Sequence, residues 1–209
     1  MTSKLWTESF GDDYHERNTL TEEQSAARLT FFLMLATTLA DGGKKALPKS
    51  ILEVGAGTGH NLKAIKKIID SNGLNIKLGA IEPNATAGDE LIANLEGITL
   101  YRTSLPMDSA FSYEMVFTCG MLIHISPKWI EEVMQNIYDL SSKYILIMEY
   151  FSPEEREINY RGHDEALWTR DYGSLFMTKF KLHCIGYGFL WKPITLFDNI
   201  TWWLLEKTH

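Results

Sequence analysis

A glycine-rich loop is the most specific chemical feature of the sequence. Residues 51–54 read Ile-Leu-Glu-Val, and three alternating glycines follow at Gly55, Gly57 and Gly59 before a helical pattern begins. Glycine is required where the backbone adopts a positive φ or where a ligand approaches it closely. A loop of this kind after the first strand of a parallel sheet lies at the crevice where such sheets bind ligands. We therefore predict a ligand site at this loop.

The loop differs from the two common phosphate-binding motifs. The dinucleotide motif needs a third glycine where this chain has His60, and no G-K-[ST] of a P-loop follows. Glu53, inside an otherwise apolar strand end, would repel a pyrophosphate and attract a cationic group such as an amine. Glu82 ends the next predicted strand, where a carboxylate can accept hydrogen bonds from both hydroxyls of a ribose. The two acids together predict a nucleoside that carries an amino acid instead of phosphates.

Strands that alternate with helices must position these residues. Short apolar runs predict strands at 50–54, 77–82, 98–102, 113–118 and 144–149, and the patterns between them predict helices at 62–69, 87–95 and 127–140. A cap at Thr21 predicts an earlier helix that runs to about residue 40. This alternation is typical of βαβ units, which build a mostly parallel sheet with helices on both faces.

The last third of the chain breaks this rhythm. Residues 150–180 are polar, aromatic and charged, and we expect them to form an insertion outside the sheet. Two β-rich runs follow at 182–191 and 200–206, with no room for a helix between them, and they predict an antiparallel pair at one side of the sheet. The predicted fold class is α/β, a doubly wound, mostly parallel seven-stranded sheet with an antiparallel last strand, in one domain.

Composition narrows the classes of function. The 209 residues suit a single domain, and 45% hydrophobic with 22% charged residues is ordinary globular composition. A net charge of −7 argues against a protein that binds nucleic acid through phosphates. The absence of an apolar leader and of a long apolar run predicts a cytoplasmic protein without membrane contact. Two cysteines and no clustered ligands predict neither a disulfide framework nor a metal site, and we expect a monomer or a homodimer.

With these features in place, the sequence from about Ser50 onward resembles the class I S-adenosylmethionine-dependent methyltransferases. The resemblance implies that S-adenosylmethionine is the cofactor and that its methyl group passes to an acceptor. It also implies that the methionine part of the cofactor lies against the glycine loop, with the ribose at the end of the second strand. The residues that it implies for cofactor binding are Glu53, Gly55, Gly57, Gly59, Glu82, Pro83, Asn84, Ser104, Leu105, Thr118, Cys119 and Gly120.

A narrower resemblance extends over nearly the whole chain. Its segments are Trp6, Phe10-Gly11, Tyr14, Arg17-Asn18, Met148-Glu149-Tyr150-Phe151, Tyr160-Arg161-Gly162-His163, Arg170-Asp171 and the ending from Ile200 to Lys207. These segments look like the pseudaminic acid biosynthesis-associated methylases, a small group of bacterial proteins. That resemblance implies a small, anionic acceptor such as a nonulosonic-acid-type sugar or its nucleotide-activated form.

An acceptor hydroxyl or ammonium must lose a proton, and histidine has a suitable pKa. His124, just past the fourth strand, and His163, in the expected insertion, are the candidate bases. The alternatives are a locally hydrogen-bonded histidine at a helix start and a solvated loop histidine. We expect the acceptor to contact Tyr150, Tyr160, Arg161, His163 and Arg170. Two arginines suit a carboxylate or phosphate, unless they pair with acids of the insertion such as Glu155.

The first 20 residues are expected to form a lid. Tyr14 and Arg17 lie three residues apart and would share one face of a helical turn. Arg17 would then pair with the carboxylate of the cofactor, and Tyr14 would lie near its amino acid end. Gly11 would be the hinge. The alternative is an N-terminal segment that only packs on the sheet.

Two other functions remain open at this stage. One is a methyltransferase that acts on a protein or on RNA, which would need a wider, open cleft. The other is a non-catalytic module that binds the cofactor and transfers nothing.

Overall fold

In the computed structural model, a seven-stranded sheet lies between two layers of helices. The structure describes residues 6–7, 11, 19–40, 47–108 and 110–208. The strands are β1 (Ser50–Val54), β2 (Lys77–Ile81), β3 (Thr99–Tyr101), β4 (Tyr113–Cys119), β5 (Ser141–Glu149), β6 (Arg156–Glu157), β7 (Trp168–Thr169), β8 (His183–Leu190) and β9 (Ile200–Glu206). The helices are α1 (Glu22–Ala40), α2 (His60–Ser71), α3 (Ala85–Asn94), α4 (Ile130–Leu140), α5 (Tyr172–Phe180) and the one-turn α6 (Lys192–Thr195). A 3-10 turn covers Leu122–His124, and none of these described helices is long and apolar enough to cross a membrane.

The order of strands in the main sheet is β3-β2-β1-β4-β5-β9-β8. Strands β1 to β5 are parallel, and β9 runs antiparallel to both β5 and β8. The predicted α/β class, the seven strands and the antiparallel pair at one side are therefore confirmed. The chain moves from β1 towards β3 on one side and from β4 towards β8 on the other. This reversal opens a crevice at the carboxyl ends of β1 and β4.

Both faces of the central strands are buried, which explains their nearly continuous apolar runs. Successive residues alternate between two core clusters, as the period of a strand requires. Ile51 and Phe117 pack into the cluster that contains α1 and α2, whereas Leu52 and Val116 pack into the cluster that contains α4 and α5. The polar residues of the crevice are therefore held at the rim of a fully packed scaffold.

The structure corrects two expectations for the last third of the chain. The expected insertion at 150–180 ends earlier, because α5 belongs to the helical layer that covers the sheet. Tyr172 and Phe176 of α5 are fully buried, and Asp171 caps the helix by accepting a hydrogen bond from the Ser174 amide at 3.0 Å. Residues 192–195, where no helix was expected, form α6, with a proline in its first turn. A single helical turn is short enough to join two neighbouring antiparallel strands.

Candidate functional site

Two cavities lie side by side at the carboxyl ends of β1 and β4, and they share Gly55, Gly57 and Cys119. We call them the apolar cavity and the polar cavity. The other residues of the apolar cavity are Trp6, Val54, Ile81, Glu82, Pro83, Thr103, Ser104, Leu105, Gly120, Met121, His124 and Ile125. The polar cavity is lined further by Thr19, Leu20, Gln24, Arg28, Glu53, Ala56, Thr58, His60, Asn61, Leu196, Phe197, Asp198 and Ile200. The glycine loop therefore forms the wall between an apolar and a polar compartment.

The backbone conformation of this loop favours glycine at all three positions. Gly55, Gly57 and Gly59 have φ values of +72°, +53° and +81°, in the left-handed region that side chains disfavour. A Cβ atom on Gly55 would lie 2.5 Å from Cγ of Met121, and one on Gly59 would lie 2.8 Å from Cδ1 of Leu95. Gly55 and Gly57 line the cavities, whereas Gly59 is the N-cap of α2 and shapes the turn.

Glu82 lies on the wall of the apolar cavity and is buried. Its Oε2 accepts a hydrogen bond from the Gly57 amide at 2.7 Å, and its Oε1 accepts one from the Asn84 amide at 2.8 Å. Burial raises the pKa of this carboxyl, and the two amide hydrogen bonds oppose the rise. Each carboxylate oxygen has two lone pairs, so both can accept a further hydrogen bond. The amides therefore hold the carboxylate in a fixed orientation while it keeps the capacity to bind two hydroxyls.

Glu53 lies in the polar cavity and is only 1% exposed. Its Oε1 accepts a hydrogen bond from Nδ2 of Asn61 at 2.7 Å, and no group in the described part of the chain hydrogen-bonds its buried Oε2. Burial raises the pKa of this carboxyl to about 8, against the hydrogen bond from Asn61 and the positive charge of Arg28. A buried oxygen without a partner is costly, so this site fits a ligand that brings a donor or a positive charge.

Arg28 is a site residue that our sequence analysis missed. It extends from α1 into the polar cavity, where its guanidinium lies 4.9 Å from the ring centroid of Phe197. Its buried Nε has no hydrogen-bond partner among the described residues. The available signal was that Arg28 is the only basic residue of an otherwise apolar and acidic helix. Glu53 and Arg28 place a buried acid and a partly buried positive charge in the polar cavity, which is a charge pattern that suits a zwitterionic amino acid.

The other residues that the resemblance implied for cofactor binding differ in whether they line a cavity. Pro83, Ser104, Leu105 and Gly120 line the apolar cavity. Asn84 and Thr118, like Gly59, line neither cavity. Asn84 caps α3 by accepting a hydrogen bond from the Ala87 amide at 2.8 Å, and Thr118 is buried inside β4.

Tyr14 and Arg17 lie outside the described residues, and so does most of the expected lid. Trp6, within that expected lid, lines the apolar cavity. A Cβ on Gly11 would lie 2.9 Å from Nδ2 of Asn84. Trp6 therefore lies at the cavity, whereas Gly11 lies beside the residue that caps α3.

His124 lines the apolar cavity at the end of the 3-10 turn. Its Nδ1 lies 2.7 Å from the carbonyl oxygen of Ala166, and because a carbonyl only accepts, Nδ1 carries the proton. Nε2 is then the nitrogen with the free lone pair. Burial lowers the pKa of this imidazole to about 4, so it is neutral at pH 7. The ring centroids of Trp6 and Tyr160 lie 4.0 Å and 5.6 Å from that of His124, and we call these three side chains the aromatic mouth.

Tyr160 and His163 close a tight two-residue hairpin. Their backbones exchange two hydrogen bonds of 2.9 Å and 3.0 Å. Arg161 and Gly162 between them have φ values of +54° and +84°, a pattern typical of a type I′ turn. Arg161 and His163 are exposed at its tip. Of the two candidate bases, the structure thus brings His124 to the cavity and places His163 outside the cavity walls.

Arg170 differs from its expected role in acceptor binding. It is 2% exposed, and its Nε lies 2.5 Å from Oε2 of Glu155. Its Nη1 donates to the carbonyl oxygen of Ile125 at 3.0 Å and to the hydroxyl of Tyr172 at 3.1 Å. This geometry favours the alternative, in which the arginine pairs with an acid of the insertion and anchors it to the sheet. Tyr150 is half-buried, packs against both core clusters and lines neither cavity.

Glu149 is a second residue that our sequence analysis did not assign. This fully buried carboxylate ends β5 and accepts hydrogen bonds from three consecutive amides, those of Met121, Leu122 and Ile123, at 3.1, 3.0 and 3.3 Å. Burial raises its pKa to about 7 despite these bonds. It fixes the turn that carries His124, and the only sequence signal was an acid at the end of an apolar strand.

Comparison with solved structures identifies similar folds. The 1,6-didemethyltoxoflavin-N1-methyltransferase of Burkholderia thailandensis, solved with 1,6-didemethyltoxoflavin and S-adenosylhomocysteine, superposes with a TM-score of 0.71 at 14% identity over 99% of this chain and 88% of its own. The magnesium protoporphyrin IX methyltransferase of Synechocystis PCC 6803, solved with S-adenosylmethionine, superposes with a TM-score of 0.66 at 11% identity. That match covers 98% of this chain and 94% of the other. The plantazolicin methyltransferase BpumL, solved with S-adenosylhomocysteine, superposes with a TM-score of 0.64 at 15% identity. That match covers 98% of this chain and 93% of the other.

Comparisons with protein-family models and with curated protein sequences give no match. The structural similarities extend over nearly the whole chain, at identities far below those of close relatives. They show that the chain has the Rossmann-like fold of the class I methyltransferases.

Proposed function

We propose that this protein is an S-adenosylmethionine-dependent methyltransferase that acts on a small metabolite. The observation that carries the proposal is the division of charges between the two cavities. Glu82 in the apolar cavity keeps acceptor capacity for two ribose hydroxyls. Glu53 and Arg28 in the polar cavity complement the ammonium and the carboxylate of an amino acid. Three structural neighbours of the same fold were solved with S-adenosylmethionine or S-adenosylhomocysteine, which supports this cofactor.

S-adenosylmethionine supplies a methyl group that its sulfonium has already activated, so the protein mainly aligns the reactants and excludes water. In this chain, Glu82 would fix the nucleoside, and Glu53 with Arg28 would fix the amino acid at the opposite end. Cys119 and Gly120 line the cavity where β4 ends, between these two anchors. The aromatic mouth would cover the reacting centre and keep bulk water out.

His124 is the proposed general base. Because the Ala166 carbonyl holds the proton on Nδ1, a proton from an acceptor hydroxyl or ammonium would pass to Nε2. The lowered pKa keeps Nε2 unprotonated at pH 7, and because it also makes the imidazole a weaker base, His124 suits an acceptor that loses its proton as the methyl group is transferred. Glu149 would act through the backbone, because it holds the turn in which His124 lies.

The acceptor is proposed to be a small molecule with a ring that stacks in the aromatic mouth. Neighbours of this fold were solved with 1,6-didemethyltoxoflavin and with N-methylheliamine, which supports a small acceptor. Within this class, a nonulosonic-acid-type sugar is our first candidate. Arg161 supports an anionic acceptor, because its exposed guanidinium lies 5.8 Å from the ring centroid of Tyr160 at the mouth. A net charge of −7 disfavours an RNA acceptor, and Tyr160, whose ring centroid lies 5.6 Å from that of His124 at the cavity mouth, favours a small acceptor over a protein chain.

Calorimetry with S-adenosylhomocysteine tests the cofactor site. We expect wild-type protein to bind it and Glu82→Ala to bind about 100-fold more weakly, since two hydrogen bonds to a charged group contribute roughly 1.5 kcal/mol each. Glu90→Ala, which removes an exposed carboxylate from α3, is the matched control and should bind normally. A thermal melt checks that Glu82→Ala is folded. No binding by the wild-type protein would reject the proposal.

A tritium-transfer assay with labelled S-adenosylmethionine tests the reaction itself. The acceptor is first a metabolite extract and, in a second assay, an acidic or a neutral sugar. We expect His124→Ala to abolish transfer while its affinity for S-adenosylhomocysteine stays within a factor of a few. Arg161→Ala should weaken use of an acidic acceptor, whereas Arg156→Ala, a second exposed arginine, should not. A protein that binds cofactor but labels nothing would be a non-catalytic module.

A further inference from the structure

The outer edge of the sheet carries exposed aromatic side chains that the proposed reaction does not use. Strand β8 is the last strand of the sheet and, within the described part of the chain, pairs only with β9. Tyr187 is 76% exposed, Phe189 58% and Trp191 54%. Ile194, on the adjoining helix α6, is 74% exposed. A cluster of large apolar side chains in water marks an interaction surface.

Tyr187 and Phe189 share one face because of the period of the strand, and Trp191 follows the end of the strand at the same spacing. Gly186 and Gly188 alternate with Tyr187 and Phe189 and face the opposite side, where a Cβ on Gly188 would lie 2.8 Å from Nε1 of Trp202. The glycines therefore let β8 pack closely on Trp202. Tyr187, Phe189 and Trp191 project from the other face. In the described structure, more than half of each of these three residues remains exposed to solvent.

The edge also lacks the features that normally prevent strands from pairing between molecules. Such edges are usually interrupted by lysine, proline, inward charges or bulges. From Cys184 to Trp191 this chain has no charged residue and no proline. Its register shift lies at the start of the strand, between Cys184 and Gly186, and the pairing with β9 is regular from Gly186 to Leu190. The backbone groups of this stretch that point away from β9 form a regular template for another strand.

We propose that β8 pairs antiparallel with β8 of a second copy of this chain, so that two sheets join into one continuous sheet across a two-fold axis. A strand edge complements an identical edge, and a two-fold axis normal to the sheet keeps the aromatics of both copies on the same face. There they would form cross-strand aromatic pairs. A net charge of −7 makes two copies of this chain repel each other over most of their surface. The uncharged stretch from Cys184 to Trp191 avoids this repulsion and therefore suits self-association.

The exposed aromatic area is a substantial share of what a dimer needs. The exposed parts of Tyr187, Phe189 and Trp191 together approach two whole aromatic side chains, roughly 300–500 Å². A standard interface buries about 800 Å² on each partner, so these side chains supply at most roughly half of that area. Ile194 and the backbone edge of β8 contribute to the rest.

Sedimentation of the full chain over a range of concentrations tests the proposal. We expect twice the mass of one chain for the wild-type protein, and the mass of a single chain for both Tyr187→Lys and Phe189→Lys. Leu33→Lys places the same charge on a residue of α1 that is 43% exposed, and this matched control should remain a dimer. Thermal melts and binding of S-adenosylhomocysteine check that each variant is folded.

Hydrogen exchange of the wild-type protein gives a second measurement that needs no variant. Amides of residues 186–190 that do not bond to β9 should gain protection as the protein concentration rises. A single-chain mass at every concentration would overturn the proposal, as would a dimer that Tyr187→Lys and Phe189→Lys leave intact. Because binding of S-adenosylhomocysteine is measured separately, failure here leaves the proposed methyltransferase function untouched.

Discussion

Glu53 makes the most specific prediction, because its buried Oε2 has no partner within the described residues and burial raises its pKa to about 8. Below pH 8 this carboxyl is mostly protonated in the free protein, whereas an ammonium bound beside it favours the ionised form. Binding should therefore release a proton. One proton released changes the binding free energy by about 1.4 kcal/mol per pH unit, a factor of ten in affinity. From pH 6 to pH 7.5 the affinity for S-adenosylhomocysteine should rise roughly 30-fold.

Calorimetry in buffers of different ionisation enthalpy measures both the affinity and the number of protons released. We expect nearly one proton released at pH 6.5, and for Glu53→Gln a much smaller release and a flat pH profile. Glu82, Arg28, His60 and Asp198 also face this region, so the difference between wild type and Glu53→Gln isolates the contribution of Glu53 to the slope. Glu96→Gln, on the surface, is the control. An equally steep profile in Glu53→Gln would refute the role of this carboxylate.

The same raised pKa predicts how the stability of the free protein depends on pH. The folded state holds a proton that the unfolded state loses at its ordinary pKa near 4.5. This contribution to stability is fully present below pH 4.5 and is lost as the pH rises towards 8. Urea denaturation should therefore show that Glu53→Gln depends less on pH than wild type between pH 5 and pH 8. A slope equal to that of wild type would contradict the raised pKa.

Two further substitutions separate shape from binding. Gly59→Ala should lower the free energy of unfolding by roughly 1–3 kcal/mol, because the residue has a φ of +81° and a Cβ would lie 2.8 Å from Leu95. Urea denaturation measures this loss of stability, and an unchanged midpoint would contradict the prediction. Arg170→Ala should lower the free energy of unfolding by roughly 1–3 kcal/mol, because the buried acceptors on Ile125 and Tyr172 lose their donor while the half-exposed Glu155 is solvated, and the affinity for S-adenosylhomocysteine should stay near that of wild type. An Arg170→Ala protein of normal stability that loses acceptor binding would restore the role first expected of this arginine.

The sheet was predictable because its strands carry a strong local signal. Short apolar runs such as 113–118 differ clearly from the helical patterns between them, and the structure places β4 at Tyr113–Cys119. The glycine loop was predictable for the same reason, since three alternating glycines directly after a strand allow a left-handed backbone that other residues disfavour. Helix α5 was missed because its apolar residues at 172 and 176 are embedded in a polar and aromatic stretch.

The assignment of individual polar residues was less predictable, because it depends on contacts between distant parts of the chain. Arg161 and Arg170 lie in the same segment, yet one is exposed at a hairpin tip and the other is buried on Glu155. His124 lies at the cavity because a carbonyl 42 residues away holds its Nδ1. Arg28 belongs to a helix that precedes the sheet, so nothing local connects it with Glu53.

Three buried carboxylates end strands of the sheet, and their hydrogen bonds distinguish structural from functional acids. Glu149 accepts three backbone amides through its two oxygens, and this accounts for its burial without any ligand. Glu82 has one amide on each oxygen, which fixes its orientation and leaves room for two hydroxyls. Glu53 has one bonded oxygen and one without a partner among the described residues. Since an unpaired buried oxygen costs stability that repacking could recover, its presence points to a ligand that completes it.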